Sequence, residues 1–241
     1  MKKPAAILLV FVVCFARVGA QDTVATPCES LLITKPAVIS GTAMMAVGAT
    51  FTFVPELHGL CVDLRDAVQS DGHDRLTFDN YIQYVPMATP FALKICGLQG
   101  RSSIRDMVNL TALGYGMGSL VVVGVKQLSH MRRPDNTSFT SFPSGHTYTA
   151  FVGAELLRRE YGDDYPMIAV AGYAVATLTG FMRIYNNRHW ASDVLAGAGL
   201  AIVSVNVGYW IGDKVLEWHQ SRKRTALSME LDQSSPYVLS Y

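Results

Sequence analysis

Five uncharged runs, 36–54, 80–93, 108–125, 166–182 and 194–212, limit what this chain can fold into. Each, apart from the short second one, approaches the length a helix needs to cross a hydrocarbon layer about 30 Å thick. Small residues recur in them, as in Leu195-Ala196-Gly197-Ala198-Gly199, and small residues let helices approach closely. A further helix is predicted over 144–161, apolar at first and ending in Glu155, Arg158, Arg159 and Glu160. Nothing alternates with the period of a strand over a useful length, so the predicted fold class is all-α, a membrane-embedded bundle of about six helices. Charge agrees, because 16% charged residues are too few for an ordinary soluble surface, where about 25% is usual. Twenty Lys and Arg against nineteen Asp and Glu leave a net charge of +1. No overall field gathers nucleic acid, and neither nucleic acid nor a protein partner is expected. Any anion site has to be local.

Lys2 and Lys3 precede an uncharged stretch, 4–16, and Val18-Gly19-Ala20 offers small residues for cleavage before Gln21. This pattern predicts a secretory signal over 1–20. The remainder divides into an N-terminal helix with an acidic loop (21–79), a core (80–218) and a polar tail (219–241) that reads as flexible. Export would expose Cys28, Cys61 and Cys96 to oxidation where they lie outside the membrane. Cys28 could pair with Cys61, or the thiols could stay free and buried; spacing does not choose between these.

Basic residues sort by side. Arg101 and Arg105, then Arg158 and Arg159, then Lys214, Arg222, Lys223 and Arg224 mark one set of loops, which the positive-inside rule makes cytoplasmic. The opposite ends, near Asp79, over 126–144 and over 183–193, then face outward, as does the acidic stretch 56–79. A cleaved signal combined with a full crossing by 36–54 would invert this arrangement. The expectation is therefore that 36–54 is at most partly inserted.

Three polar clusters fall on the outward side. Lys126 and Arg133-Pro134 close the third helix, Pro143-Ser144-Gly145-His146 opens the fourth, and Arg183 through His189 to Asp193 opens the sixth. Cations at membrane helix ends need water or an anionic partner. A Ser-Gly turn at a helix start presents free N–H groups and the positive end of the helix dipole, and glycine admits an oxyanion close to the backbone. His189 and Asp193 stand four residues apart, so on a helical face the carboxylate can hold one ring nitrogen and leave the other nucleophilic. His146 is left as a proton donor to a leaving oxygen. Each element alone has an ordinary structural explanation: an anchor, a cap or a salt link. Their arrival together on one side points to phosphoryl transfer.

In this order and spacing, Lys126–x6–Arg133-Pro134, Pro143-Ser144-Gly145-His146 and Arg183–x5–His189–x3–Asp193 resemble the signature of the type 2 phosphatidic acid phosphatase superfamily. That superfamily includes lipid phosphatases, soluble acid phosphatases and vanadium haloperoxidases. Met182 departs from the Ser that often precedes the third-motif Arg. The resemblance implies His189 as nucleophile, Asp193 as its support and His146 as acid. It implies Lys126, Arg133, Ser144, Gly145 and Arg183 as phosphate-binding residues, with neither metal nor cofactor. It further implies a phosphate-bearing membrane lipid as substrate, with the site on the periplasmic face of a bacterial inner membrane. The exported form and the run Tyr185-Asn186-Asn187-Arg188-His189-Trp190 resemble Bacteroides-type lipid A phosphatases. Undecaprenyl diphosphate, phosphatidylglycerol phosphate and phosphatidic acid are alternative substrates. Arg132 and Arg188 are extra cations suited to a highly anionic head group. A haloperoxidase, a soluble acid phosphatase and a non-catalytic lipid-binding protein are the competing readings.

Overall fold

The computed structural model describes residues 36–70, 72 and 74–234. The expected signal 1–20 and Cys28 lie outside them. Eight helices and no strand occur among the described residues, in keeping with the all-α expectation. They are α1 Pro36–Phe53, α2 Pro55–Gln69, α3 Asp79–Ile82, α4 Val85–Ile95, α5 Ile104–Ser129, α6 Gly145–Tyr161, α7 Pro166–Tyr185 and α8 Ala191–Ser234.

Local chemistry sets the breaks. Pro55 disfavours helix at the residue before it, and Val54 is extended at φ −96° and ψ 112°. Pro86, in the first turn of α4 where a missing N–H costs nothing, starts a new helix there. The single helix expected over 80–93 is therefore two, α3 and α4, with a turn at Gln83 and Tyr84. Ser103 opens α5, its hydroxyl accepting from the Asp106 N–H at 3.1 Å. The tail is the larger correction. Asp213 to Ser234 contains neither Gly nor Pro and is rich in helix-forming Lys, Arg, Glu, Leu and Met, and α8 runs on through Ser234 instead of ending near 212.

The bundle is built around α6, buried on nearly every side. Its neighbours are α4, α5, α7 and α8. A Cβ at Gly153 would fall 2.2 Å from the Met87 backbone nitrogen, so α4 rests directly on this glycine. Tyr148, Phe151, Leu156, Ile202, Val205 and Tyr209 fill the core.

α1 lies antiparallel along the first half of α8. Gly41 meets Gly199, and seven residues later Gly48 meets Ser192 and Ala196; these glycines allow backbone-to-backbone contact. Beside the expectation that 36–54 is at most partly inserted stands the close packing of α1 along α8. Four helices, α1, α5, α7 and α8, are long and apolar enough to cross a membrane. On α5, Leu120, Val121, Val123 and Leu128 are exposed. All four present one end to the same side: Phe53 of α1 meets Phe142 at 5.4 Å, α5 brings Lys126, α7 brings Arg183 and α8 brings Asp193. α2 lies across this end, with His58 edge-on to Trp190 at 4.8 Å and Arg65 over the same ring. Residues 36–82 thus complete the bundle around the site and do not form an appendage to it.

Candidate active site

α5 stops at His130, which adopts a left-handed conformation at φ 44°. The chain then folds back over the helix end. Ser138 O accepts from the Arg133 N–H at 2.9 Å, and Thr140 O accepts from Lys126 Nζ at 2.8 Å. Lys126 therefore ties the loop to its own helix. Arg133 Nε is buried without a partner.

The loop delivers Ser144 to the start of α6. Its hydroxyl accepts from Thr147 Oγ1 at 2.9 Å, and its N–H donates to the Asp193 carbonyl at 3.0 Å. A Cβ at Gly197 would lie 2.5 Å from the Ser144 carbonyl oxygen, so α8 backs the turn closely. In front, the space is open: the nearest atom to a Cβ built on Gly145 is Lys126 Cε, at 4.0 Å. A small cradle thus separates the first turn of α6 from the lysine.

The third cluster closes the far wall. The Arg183 carbonyl accepts from the N–H groups of Arg188 at 2.9 Å and His189 at 3.2 Å, turning the chain at the end of α7. Asn187, left-handed at φ 57°, completes that turn. Asp193 Oδ2 accepts from the Trp190 N–H at 2.9 Å, which caps α8, and from Ser141 Oγ. The same oxygen lies 3.3 Å from His189 Nδ1. One carboxylate therefore fixes the helix start, the second loop and the imidazole together. His189 is 2% exposed.

Burial pushes the His189 pKa down to about 4; Asp193 opposes this, and Lys126 and Arg183 add to it. His146, at the mouth of α6 and outside the four candidate spans, is likewise lowered to about 4, by burial first, then by Arg183 and His189, with Asp79 opposing. Both rings are therefore neutral at neutral pH.

The three clusters converge as the spacing predicts, and the structure adds residues that sequence reasoning missed. Asp79, 1% exposed, pairs with Arg183 Nη1, leaving Arg183 Nε buried and unpartnered. Asn80 Oδ1 stands 3.0 Å from His146 Nε2. Asp79 had been counted among the acids of an outer loop; its place directly before an uncharged run, like that of Lys126 after one, was the available signal. The two extra cations are engaged elsewhere. Arg188 pairs with Asp135 at 3.0 Å, and Arg132 lies over Phe139. Cys61 is a buried thiol on α2 and Cys96 an exposed one. No group of three or more His, Cys, Asp or Glu able to hold a metal occurs among the described residues.

The family model of the PAP2 superfamily matches residues 109–217. A Porphyromonas gingivalis protein named lipid A 1-phosphatase is 47% identical over 139 residues, covering 57% of this chain and 31% of that protein. The chain thus spans about a third of the length of this curated relative. Two solved structures are each 22% identical: LpxE of Aquifex aeolicus, with a TM-score of 0.49 over 61% of this chain and 93% of that one, and a transmembrane PAP2-type phosphatidylglycerolphosphate phosphatase of Bacillus subtilis, with 0.40 over 89% and 98%. Lys126, Arg133, the Ser144–His146 turn, Arg183, His189 and Asp193 all fall inside the segment, residues 109–217, that matches the family model of the PAP2 superfamily.

Proposed function

We propose that this chain is a membrane-embedded phosphatase that cleaves a phosphate monoester on a lipid through a phosphohistidine, with lipid A as the substrate. The observation that carries the chemistry is the pairing of a buried, neutral His189, held at Nδ1 by Asp193, with an open cradle beside Gly145 beneath Lys126. His189 Nε2 attacks phosphorus in line with the ester oxygen; the N–P bond forms as the P–O bond breaks, and the lipid alcohol leaves with a proton from His146. Lys126, the free Nε groups of Arg133 and Arg183, and the backbone N–H groups at the start of α6 stabilise the non-bridging oxygens. Water, deprotonated by His146, then cleaves the N–P bond and releases phosphate.

The lipid A assignment, at its 1-phosphate, is supported by the Porphyromonas relative over the shared 139 residues. Four spans with exposed apolar residues favour a bilayer-bound substrate over a soluble ester. The charges favour an outward, periplasmic site in an inner membrane. With that orientation the Pro36 end of α1 faces the cytoplasm, so the charges and a cleaved signal disagree, and the orientation rests on the charges. External protease reaching residues 55–79 in spheroplasts is the expected result.

The deciding experiment incubates detergent-purified protein with lipid A, undecaprenyl diphosphate, phosphatidylglycerol phosphate and phosphatidic acid, and follows phosphate release beside His189→Ala. Release from lipid A alone, with loss of one phosphate by mass spectrometry, is expected. Faster release from another lipid would overturn the substrate assignment. Release undiminished in His189→Ala would overturn the mechanism, and bromide oxidation with added vanadate would favour haloperoxidase chemistry.

A further inference from the structure

We propose that the Asp79-Asn80 turn, which lies outside the matched family segment, is the positioning element of the phosphate site: Asp79 aims Arg183, and Asn80 governs the proton on His146. The proposal rests on the phosphatase reading above.

The first half of the argument concerns a fork. A guanidinium offers five N–H donors in a fixed plane, so engaging one edge dictates where the others point. Asp79 takes the Nη1 corner of Arg183 at a place where both side chains are almost fully buried, 1% and 7% exposed. The Nε of the same fork is buried with no partner. An unmade hydrogen bond on a buried cation costs free energy that a purely structural pair would have removed. The free edge is explained if an oxyanion completes it.

The second half concerns a ring. With Asn80 Oδ1 as acceptor 3.0 Å away, the neutral His146 ring carries its hydrogen on Nε2. The same oxygen stabilises the imidazolium that forms when a dianionic phosphate enters. The charged and titratable groups facing His146 are Arg183 at the end of α7, His189 before α8, Asp79 on α3 and Arg133 in the loop after α5. Three of them disfavour the imidazolium and Asp79 favours it, so the α3 turn supplies both the charge and the hydrogen bond that keep His146 protonatable. Because one short turn carries both residues, the cation and the acid move as one.

Three variants test this, with wild type required to release phosphate from lipid A first; if it does not, the phosphatase reading fails, not the positioning proposal. Orthovanadate binding, read by calorimetry on the full chain, needs no turnover and continues the test in that event. Asp79→Asn is expected to lower kcat about tenfold or more and to weaken orthovanadate binding, because the fork is no longer aimed at the oxyanion even though a negative charge has left the site. An unchanged kcat, or orthovanadate bound as tightly as by wild type, would overturn the role of Asp79; without turnover, undiminished vanadate binding alone does so. Asn80→Asp is expected to move the alkaline limb of the kcat profile upward by about one pH unit, and Asn80→Leu to move it downward. Should both leave the limb in place, Asn80 does not govern the proton. In the absence of turnover, the same two variants are read through the pH dependence of vanadate binding, with the same signs expected and the same overturning result. Thermal unfolding within a few degrees of wild type is expected for all three.

Discussion

The two ends of α6 are both rich in buried charge, yet they are finished differently. At the end away from the site, Glu155 accepts from Arg158, Asn206 and Tyr173, and Glu160 accepts from the Ser102 N–H and Tyr209 with Lys94 nearby. Those carboxylates have more donors than most surface acids ever find. At the site end, Arg133 Nε, Arg183 Nε and Asp193 Oδ1 are buried with no partner; at the far end Arg159 Nε is too, but its guanidinium is covered by the Tyr209 ring. Saturated networks hold helices together; unsaturated ones wait for a ligand. The contrast teaches that charge burial in this fold serves stability at one end and chemistry at the other.

The most severe way to break that contrast is His189→Ala, expected to reduce turnover about 10,000-fold, in line with loss of a nucleophile, while the thermal midpoint stays close to wild type. A residual rate within tenfold of wild type would move the nucleophile elsewhere. Asp193→Asn comes next: the amide can keep the α8 cap but no longer compels the correct tautomer of His189, so kcat is expected to fall about 1,000-fold. At the saturated end the sign of the trade reverses. Glu155→Leu removes the buried acceptor shared by Arg158, Tyr173 and Asn206, and an unfolding cost of about 3 kcal/mol is expected. The pH profile of the surviving folded enzyme should be unmoved. A shift in that profile would mean that the two ends communicate.

What the sequence made legible follows from how far each signal reaches. The cradle residues lie in short motifs beside helix starts and stops, where local chemistry dictates geometry, and Lys126, Ser144, His189 and Asp193 fall where their spacing implies. The pairings of Asp79 and Asn80 were hidden because their partners are 104 and 66 residues away, and no local rule links an acid at a helix start to a particular arginine. The place of α1 was likewise hidden. Loop charges gave no reason to pack this segment against the core, and only the register of Gly41 and Gly48 against α8 shows that it lies there. The helix over 219–234 was hidden for a different reason: polarity suggests flexibility, although that stretch lacks both Gly and Pro.

pH sharpens the comparison further. His189 has to be neutral to attack, and its lowered pKa of about 4 makes kcat/KM rise through that value. The proton for the leaving oxygen enters either on His146, also lowered to about 4, or on the phosphate monoester, whose second pKa is about 6. Above about pH 6 both carriers lose it, so kcat/KM is expected to peak between the two values and then fall about tenfold per unit. Stability also falls on the acid side. Histidines whose folded pKa lies below the ordinary 6.5 resist protonation only while folded, so the native state weakens as pH drops from 6.5 towards 4. Circular dichroism melts across that window should show a falling midpoint, and His189→Ala should flatten the fall.

Gly145→Ala is the mildest change and isolates the cradle from everything around it. The backbone at 145 is not in the left-handed region, and alanine is the better helix former, so α6 should be unchanged or slightly firmer. The added methyl meets no protein atom closer than Lys126 Cε at 4.0 Å. It does occupy the space through which an oxyanion would reach the first N–H groups of the helix. Inorganic phosphate should therefore bind about tenfold more weakly, a loss of about 1.4 kcal/mol, with a similar fall in kcat/KM and no loss of thermal stability. Unchanged phosphate affinity would place the bound oxyanion away from this turn and leave Arg133 and Arg183 as its principal partners.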